Sequence, residues 1–365
     1  MFRRIEKHPP GILITGGAGF IGANLAAHLL ATSDARITVF DNLSHPGAAL
    51  NLRWLQEQAC AHRLRFCRGD VCSEAAVIDA VKGADEIFHL AARCEGAAES
   101  KTDFEVNATG TLNLLEAVRR SPRQPMVVYV STAKVYAELN WLRVRPHGLS
   151  YQPVDPEFRG ISERAPVAQS APCDCSRGAA ERFVLDYAHL YDVPAVSLRV
   201  DTVAGPRQIE NHGHGWVSHL VYSILAGRPV TIYGNGLQVH DVMDVTDMVE
   251  ALMAARAYIG AARGHVYNVG GGKGHAVSVN QMIGLIETVC HRSAVVRREP
   301  PRPGDRPFYY ADSSEFAAAT GWRVRRTLEQ TVRSVAAFWY AQLAGTEMAQ
   351  RPRPRRMAHS FRQAA

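Results

Sequence analysis

The chain predicts a doubly wound α/β fold: a parallel sheet with helices on both faces and a smaller C-terminal lobe. Three observations carry that expectation. Ile12 to Ile14 is a short apolar run suited to a buried strand, three glycines at Gly17, Gly19 and Gly22 follow at once, and Ala23 to Leu30 then takes helical spacing. A second apolar run, Arg36 to Phe40, ends in Asp41, nineteen residues after Gly22. Later apolar runs alternate with helical stretches, a pattern that needs right-handed crossovers and hence a parallel sheet.

The opening unit has a specific physical use. Its glycines let backbone approach a pyrophosphate, Gly22 lets helix and strand pack closely, and the helix start, with Phe20 and Ile21, offers free N–H groups and a positive dipole end. Asp41 at the second strand end is placed to accept hydrogen bonds from adenosine ribose hydroxyls. Its carboxylate would repel a 2′-phosphate, so the expected cofactor is NAD rather than NADP.

Further along, Asn42 to Gly47 reads as a turn-rich loop and 49–59 as a helix. The strand Leu64–Arg68 ends at Gly69-Asp70-Val71, with the aspartate placed for an adenine amino group. A helix over 74–81 leads to the strand Glu86–Leu90, and Ala91-Ala92 are small enough for backbone to lie against the cofactor. A helix over 107–119 and the strand Met126–Val130, ending in Ser131-Thr132, continue the alternation. From 137 to 172 a Pro- and Gly-bearing segment reads as a functional loop over the site. A helix over 176–191, a strand over 194–200, a helix over 217–226 and short strands at 230–233 and 266–271 follow, with 240–247 starting another helix. The resulting division is a dinucleotide-binding domain over 1–200 with returning segments around 240–270, an interleaved substrate lobe over 201–345, and a basic, disordered tail over 346–365.

Composition narrows the class. With 365 residues, 47% of them hydrophobic, the chain can bury a large core. No apolar run is long enough to span a bilayer, and no apolar stretch follows the basic N-terminus, so a cytoplasmic protein with no membrane partner is expected. The formal charge of +6 owes much to Arg351, Arg353, Arg355, Arg356 and Arg362, which fits a solvated tail better than a nucleic-acid site. The seven cysteines are scattered and read as reduced thiols. Cys173 and Cys175 lack the second close pair of a structural zinc site, so no metal is expected, and His212-Gly213-His214 reads as a polar loop.

Several motifs now combine: Thr15-Gly16-Gly17-Ala18-Gly19-Phe20-Ile21-Gly22, Phe40-Asp41-Asn42, Gly69-Asp70, His89-Leu90-Ala91-Ala92, Asn107-Ala108-Thr109-Gly110-Thr111, Gly205-Pro206-Arg207 and Asn268-Val269-Gly270-Gly271. Over residues 12–340 the chain resembles the extended short-chain dehydrogenase/reductases, Rossmann-fold enzymes that epimerise or dehydrate nucleotide sugars. Asp41-Asn42-Leu43-Ser44, the stretches 51–55, 111–119 and 131–136, and Gly213 to Val217 most resemble the CDP-tyvelose (CDP-paratose) 2-epimerases. The resemblance implies tightly held NAD that takes and returns hydride, a tyrosinate and a lysine four residues on for proton transfer, a helping Ser or Thr hydroxyl, and a homodimer through the helices around 104–119 and 176–190. Carried onto this chain, it assigns cofactor contacts to Gly16, Gly17, Gly19, Phe20, Ile21, Gly22, Asp41, Asn42, Asp70, Val71, Leu90, Ala91, Ala92, Asn107 and Arg177. Thr132 matches the hydroxyl.

The tyrosine and lysine are replaced by Cys173 and Arg177. Guanidinium could still bond the nicotinamide ribose. Cys173 is open to two readings, a small helix-start residue or an acid/base thiolate favoured by the helix dipole and Arg177; the second expects it to alkylate fastest of the seven. His240 stands where the family has a nucleotide-contacting arginine, Thr202-Val203-Ala204-Gly205 replaces Asn-x-Tyr-Gly, and Asp305-Arg306-Pro307 replaces Asp-Gln-Arg. Substrate contacts are expected from Lys134, Thr202, Arg207, Trp216, His240 and Arg306. Lys134 lies two residues past Thr132 on a strand end, so it is expected to project to the same face and toward the nicotinamide, with partial burial beside Arg177, and is the expected acid/base group with Thr132 as relay. Three functions stay open: an NAD-dependent enzyme acting on a nucleotide sugar or a related polar metabolite, a silent NAD-binding sensor or partner subunit, and a reductase of a non-sugar ketone.

Overall fold

The computed structural model describes residues 9–94, 99–136, 139–168, 171–209, 215–302 and 305–350. Strands and helices alternate through the first part: β1 (Gly11–Thr15), α1 (Phe20–Thr32), β2 (Arg36–Asp41), α2 (Ala48–Gln56), β3 (Leu64–Arg68), α3 (Glu74–Val81), β4 (Glu86–His89), α4 (Ser100–Phe104), α5 (Gly110–Arg120) and β5 (Met126–Thr132). Then come β6 (Val144–His147), β7 (Ser150–Pro153), α6 (Pro172–Leu190), β8 (Ala195–Val200), β9 (Thr202–Ala204), α7 (Trp216–Leu225) and β10 (Val230–Tyr233). The chain continues through β11 (Val239–Asp244), α8 (Val245–Ala257), α9 (Ile259–Ala262), β12 (Val266–Val269), β13 (Ala276–Ser278), α10 (Val279–Cys290), β14 (Val296–Glu299), α11 (Ser314–Thr320) and α12 (Leu328–Gln350).

Seven strands form one parallel sheet in the order β12-β8-β5-β4-β1-β2-β3. The order reverses at β1, which lies between β2 and β4, and a ligand crevice opens at such a switch point beyond the carboxyl ends of the strands. Both sheet faces are dry, and the two-residue period of a strand divides its side chains between them. Ile12, Ile14, Val39, Val128, Val130, Val196 and Leu198 join α1 and α8 in one core. Leu13, Phe40, Ile87, Val127, Tyr129 and Ala195 join α3, α5 and α6 in another. Burying each large aliphatic side chain stabilises the fold by about 1.5–3 kcal/mol relative to exposure, so these alternating runs set the strand register.

The second lobe has its own core, built on Val217, Val221 and Ile224 of α7, Val230 and Ile232 of β10, Ile283 and Ile286 of α10, and Val332 and Val335 of α12. Helix α10 starts in a capping box: Ser278 accepts from the Gln281 amide while the Gln281 side chain accepts from the Ser278 amide.

Local pattern misread three segments. Residues 240–244, expected to open a helix, belong to β11, which pairs in parallel with β9 and antiparallel with β13; the helix begins at Val245, capped by Asp244. The neighbouring strands supply the backbone partners that a one-dimensional pattern does not show. Within the expected loop over 137–172, β6 and β7 pair as an antiparallel hairpin. The helix expected from 107 starts upstream, where α4 runs through a π-helical turn, Glu105–Thr109, into α5. Helix α12 carries the chain to Gln350, into the stretch expected to be disordered; the rest of that tail lies outside the described residues. Among the described residues, no helix is long and apolar enough to cross a membrane.

Candidate active site

At the switch point the backbone makes the first half of the site. Gly16 turns the chain with φ +65°, and a Cβ there would lie 2.8 Å from the Ala91 nitrogen of the β4 loop. A Cβ on Gly22 would lie 2.4 Å from the Gly16 oxygen, so this helix start and turn can meet only as glycines. Gly19 caps α1 with no side-chain bond, leaving the positive end of a 13-residue helix to an anion. Phe20 and Ile21 pack their side chains on the core, so their part here is their amides.

Asp41 does two jobs. Its carboxylate accepts from the Ala18 amide at 3.0 Å and the Leu43 amide at 2.8 Å, bracing the glycine turn from the end of β2. Burial raises its carboxyl above the usual range, and these backbone bonds oppose the rise. Asn42 donates to Asp70 at 2.9 Å, and the other Asp70 oxygen accepts from the Cys72 amide. Glycines that exclude a Cβ, an uncapped helix start and a carboxylate at the second strand end fit a dinucleotide. Leu90 and Ala91 continue this wall, the Leu90 amide donating to Thr15 at 3.1 Å, and Ala92 is exposed beside them. Two expected contacts differ. The Val71 side chain is buried in the core, where a Cβ on Gly110 would meet it. Asn107, also buried, donates to the Arg93 carbonyl and the Ser176 hydroxyl and accepts from the Arg93 amide, so it braces the wall instead of facing a ligand.

The second half is built from charged side chains on distant segments. Thr132 closes β5, and its hydroxyl accepts from the Lys134 amide at 3.1 Å, turning the chain into a short 3-10 turn. That turn leaves Lys134 exposed rather than partly buried beside Arg177. Arg177 turns inward, donating to the Val130 carbonyl at 2.5 Å and lying 5.6 Å from the Tyr129 ring centre. The charges near Lys134 are Asp174 and Asp201. Burial raises the Asp174 carboxyl, while Lys134, Arg306 and Arg177 pull it down.

Asp201, just past β8, is the hub. Burial pushes its carboxyl up, but His240, Arg306 and Lys134 leave it below the usual carboxylate range. His240 Nδ1 lies 3.7 Å from one of its oxygens and Arg306 3.5 Å from the other. Arg306 also donates to the Ala133 carbonyl at 3.0 Å, which links the hub to the Thr132–Lys134 turn. Trp216 extends the cluster: its ring centre is 5.3 Å from that of His240 and its indole N–H donates to Thr202 at 3.4 Å. Behind it, Asp241 accepts from the Gly271, Gly272 and Ala311 amides, and burial pushes its carboxyl up to about 6. Arg207 stands apart from this cluster, stacked 4.2 Å from the centre of Trp54 and 5.4 Å from that of Phe338.

Cys173 corrects both the reduced-thiol expectation and its role as a reactive thiolate. It is disulfide-bonded to Cys94, across 79 residues of sequence, and is buried at the start of α6. A bridged sulfur carries no proton and does not alkylate. Cys60, Cys67, Cys72, Cys175 and Cys290 are free. Spacing could not reveal the pair, because connectivity is a property of the fold. Asp174 and Asp201 also escaped the sequence reading; a carboxylate just past a buried parallel strand was the available signal for Asp201. Of the remaining expected loop, residues 210–214, including His212, Gly213 and His214, lie outside the described residues.

The chain is similar to known proteins over most of its length. The chain is 33% identical over 321 residues to a CDP-paratose 2-epimerase of Salmonella typhi, covering 85% of this chain and 94% of that one. It is 30% identical over 324 residues to a dTDP-glucose 4,6-dehydratase of Streptomyces niveus, covering 86% and 88%. Among solved structures, the UDP-glucose 4-epimerase of Thermus thermophilus in complex with NAD superposes with a TM-score of 0.73 at 27% identity, over 90% of this chain and 99% of that one. The model of the NAD dependent epimerase/dehydratase family matches residues 12–270, and with its glycine turn, parallel sheet and strand-end carboxylate the chain belongs to that family.

Proposed function

We propose that this protein is an NAD-dependent enzyme that works on a nucleotide-activated sugar by hydride transfer, with Lys134 and Thr132 handling the proton in place of a tyrosine. One observation carries the reading: the amine of Lys134 and the hydroxyl of Thr132 share a turn at the carboxyl end of β5, tied through Arg306 to the Asp201 and His240 cluster. NAD, when bound, supplies a hydride acceptor and donor. Asp41 and the glycine turn hold it, Thr132 offers its hydroxyl proton to a substrate oxygen, and Lys134 passes or takes the proton from the solvent side. Arg306, His240 and Trp216 form the wall for the rest of the substrate. CDP-sugars come first among candidates, because the Salmonella typhi relative is a CDP-paratose 2-epimerase. The proposal includes a homodimer through α5 and α6, next to the exposed Phe104, Leu190 and Tyr191.

A second reading, a silent NAD-binding protein, is favoured by the bridged state of Cys173 and the inward bond of Arg177. One experiment separates the two. The purified protein is denatured and assayed for released NAD(H), then intact protein is incubated with CDP-, UDP-, GDP- and dTDP-sugars while thermal shift and product mass or stereochemistry are followed. Bound NAD(H) with conversion of one sugar nucleotide supports the enzyme. NAD(H) with no shift and no conversion supports the silent protein, and failure to bind NAD(H) at all overturns both.

A further inference from the structure

Hydride transfer makes no use of the Cys94–Cys173 pair, yet the pair joins the two segments on which the site depends. Cys94 ends the wall Leu90–Arg93 that runs from β4 along the dinucleotide cradle. Cys173 sits in the first turn of α6, one turn before Arg177. Their Cα atoms are 5.4 Å apart, well inside the separation that a bridge needs.

That closeness does not rest on the sulfur bond alone. Asn107 bonds both the amide and the carbonyl of Arg93 and also takes the Ser176 hydroxyl as acceptor, clamping the residue before Cys94 to the helical turn after Cys173. Ser176 in turn donates to the Cys173 carbonyl at 2.7 Å. The bracket therefore brings the two cysteines toward one another without help from the sulfur bond, which lowers the entropy cost of closing it, and the bond fixes the motion that the hydrogen bonds leave. The buried Asp103 carboxylate completes the neighbourhood: one of its oxygens and the two sulfurs lie within 4.8 Å of one another. Arg93, the wall residue before Cys94, lies 3.5 Å from that carboxylate and ties it to the wall.

We propose that Cys94 and Cys173 are a reversible dithiol–disulfide pair that sets how firmly the nicotinamide half of NAD is held, a role that rests on the NAD reading above. The oxidant is a low-molecular-weight disulfide such as oxidised glutathione. One cysteine thiolate attacks it and releases one glutathione; the second cysteine then attacks the mixed disulfide and releases the other. In balance, two thiols lose two protons and two electrons to make one S–S bond, and one glutathione disulfide becomes two glutathiones. Bridged, the wall from Leu90 to Cys94 is fixed against α6 and preorganised for the cofactor; reduced, the same wall keeps only noncovalent ties, the Arg93–Asp103 ion pair among them, and its ordering costs binding energy.

The test uses the full chain equilibrated across glutathione redox buffers, quenched, alkylated and mapped by peptide mass spectrometry, with NAD affinity measured by calorimetry in both forms. The expected result is one bridge, Cys94 to Cys173, with NAD binding tighter in the oxidised form by about fivefold or more, the lower range of coupling between linked sites. Linkage is reciprocal, so saturating NAD displaces the ratio of squared glutathione concentration to glutathione disulfide concentration at half-oxidation by the same factor. Cys94→Ser holds the reduced-form affinity at every ratio, whereas Cys175→Ser, which alters an exposed free thiol on the same helix, leaves the response intact. Full alkylation of Cys94 and Cys173 at every ratio overturns the proposal, as does a bridge that changes NAD affinity by less than about twofold. One zinc ion retained by the reduced protein overturns it in favour of a Cys94–Asp103–Cys173 metal centre. If the bridge forms but neither oxidation state binds NAD, the role in cofactor holding falls together with the NAD reading, and the mapped bridge shows that the fault lies in that reading rather than in the cysteine pairing.

Discussion

The dinucleotide cradle and the charged corner proposed for the reaction lie at the same edge of one sheet and are made from opposite materials. The cradle is backbone: glycines that exclude a Cβ, amides at the start of α1, and one carboxylate that braces the turn it serves. The corner is side chain: Lys134, Asp174, Asp201, His240 and Arg306, contributed by segments spread along the chain from β5 to the stretch after β14. A backbone site tolerates few substitutions and recognises a group common to many ligands, a pyrophosphate. A side-chain site changes its chemistry with each replacement, which is how a family can keep a cofactor while its substrates diverge.

That contrast is broken most sharply at Lys134. Lys134→Met should cut turnover by about 100- to 10,000-fold, the usual contribution of a general acid or base, and leave NAD affinity within experimental error. Steady-state kinetics beside calorimetry checks both halves, and a near-parental rate would remove Lys134 from proton transfer. The cradle should answer in the reverse sense. Asp41→Ala should weaken NAD binding by about 1.5–3 kcal/mol, the range for hydrogen bonds to a charged group, and narrow the preference over NADP. Tighter NADP than NAD binding by the parent would contradict the assignment of Asp41.

Gly22→Ala tests the turn sterically. Its methyl would press on the Gly16 oxygen, so a stability loss of about 1–3 kcal/mol, as for overpacking, is expected in denaturant melts together with weaker NAD binding. The most gradual effect is a pH dependence. Asp241, raised to about 6, binds its proton more tightly folded than unfolded, so its charged form costs stability as pH rises from about 4 through 6. Asp201, held low, acts oppositely only below about pH 4, where its ordinary carboxyl range begins, and so outside that window. In Asp241→Asn the downward component disappears. Melting curves from pH 4 to 7 should therefore show the stability of the parent relative to the variant falling as pH rises, and a rising difference would reverse the sign of the Asp241 shift.

The amino-acid sequence by itself determined the parallel sheet, where its first strands lie along the chain, the glycine turn and Asp41. These rest on local rules: a two-residue period for strands, helical spacing for helices, and glycine where a Cβ has no room. The same locality explains the misread segments, since β11 exists through β9 and β13, and the β6–β7 hairpin lies in a segment whose turn residues read as loop. Only the tertiary structure decided the reaction corner. Arg306 reaches Ala133 and Asp201 across 173 and 105 residues, Asn107 turned out to brace Arg93 and Ser176, and Cys173 met Cys94 rather than a substrate. Charges and sulfurs act through distance in space, and that distance is set by how α6, β8 and β11 pack on the sheet, which no spacing along the chain encodes.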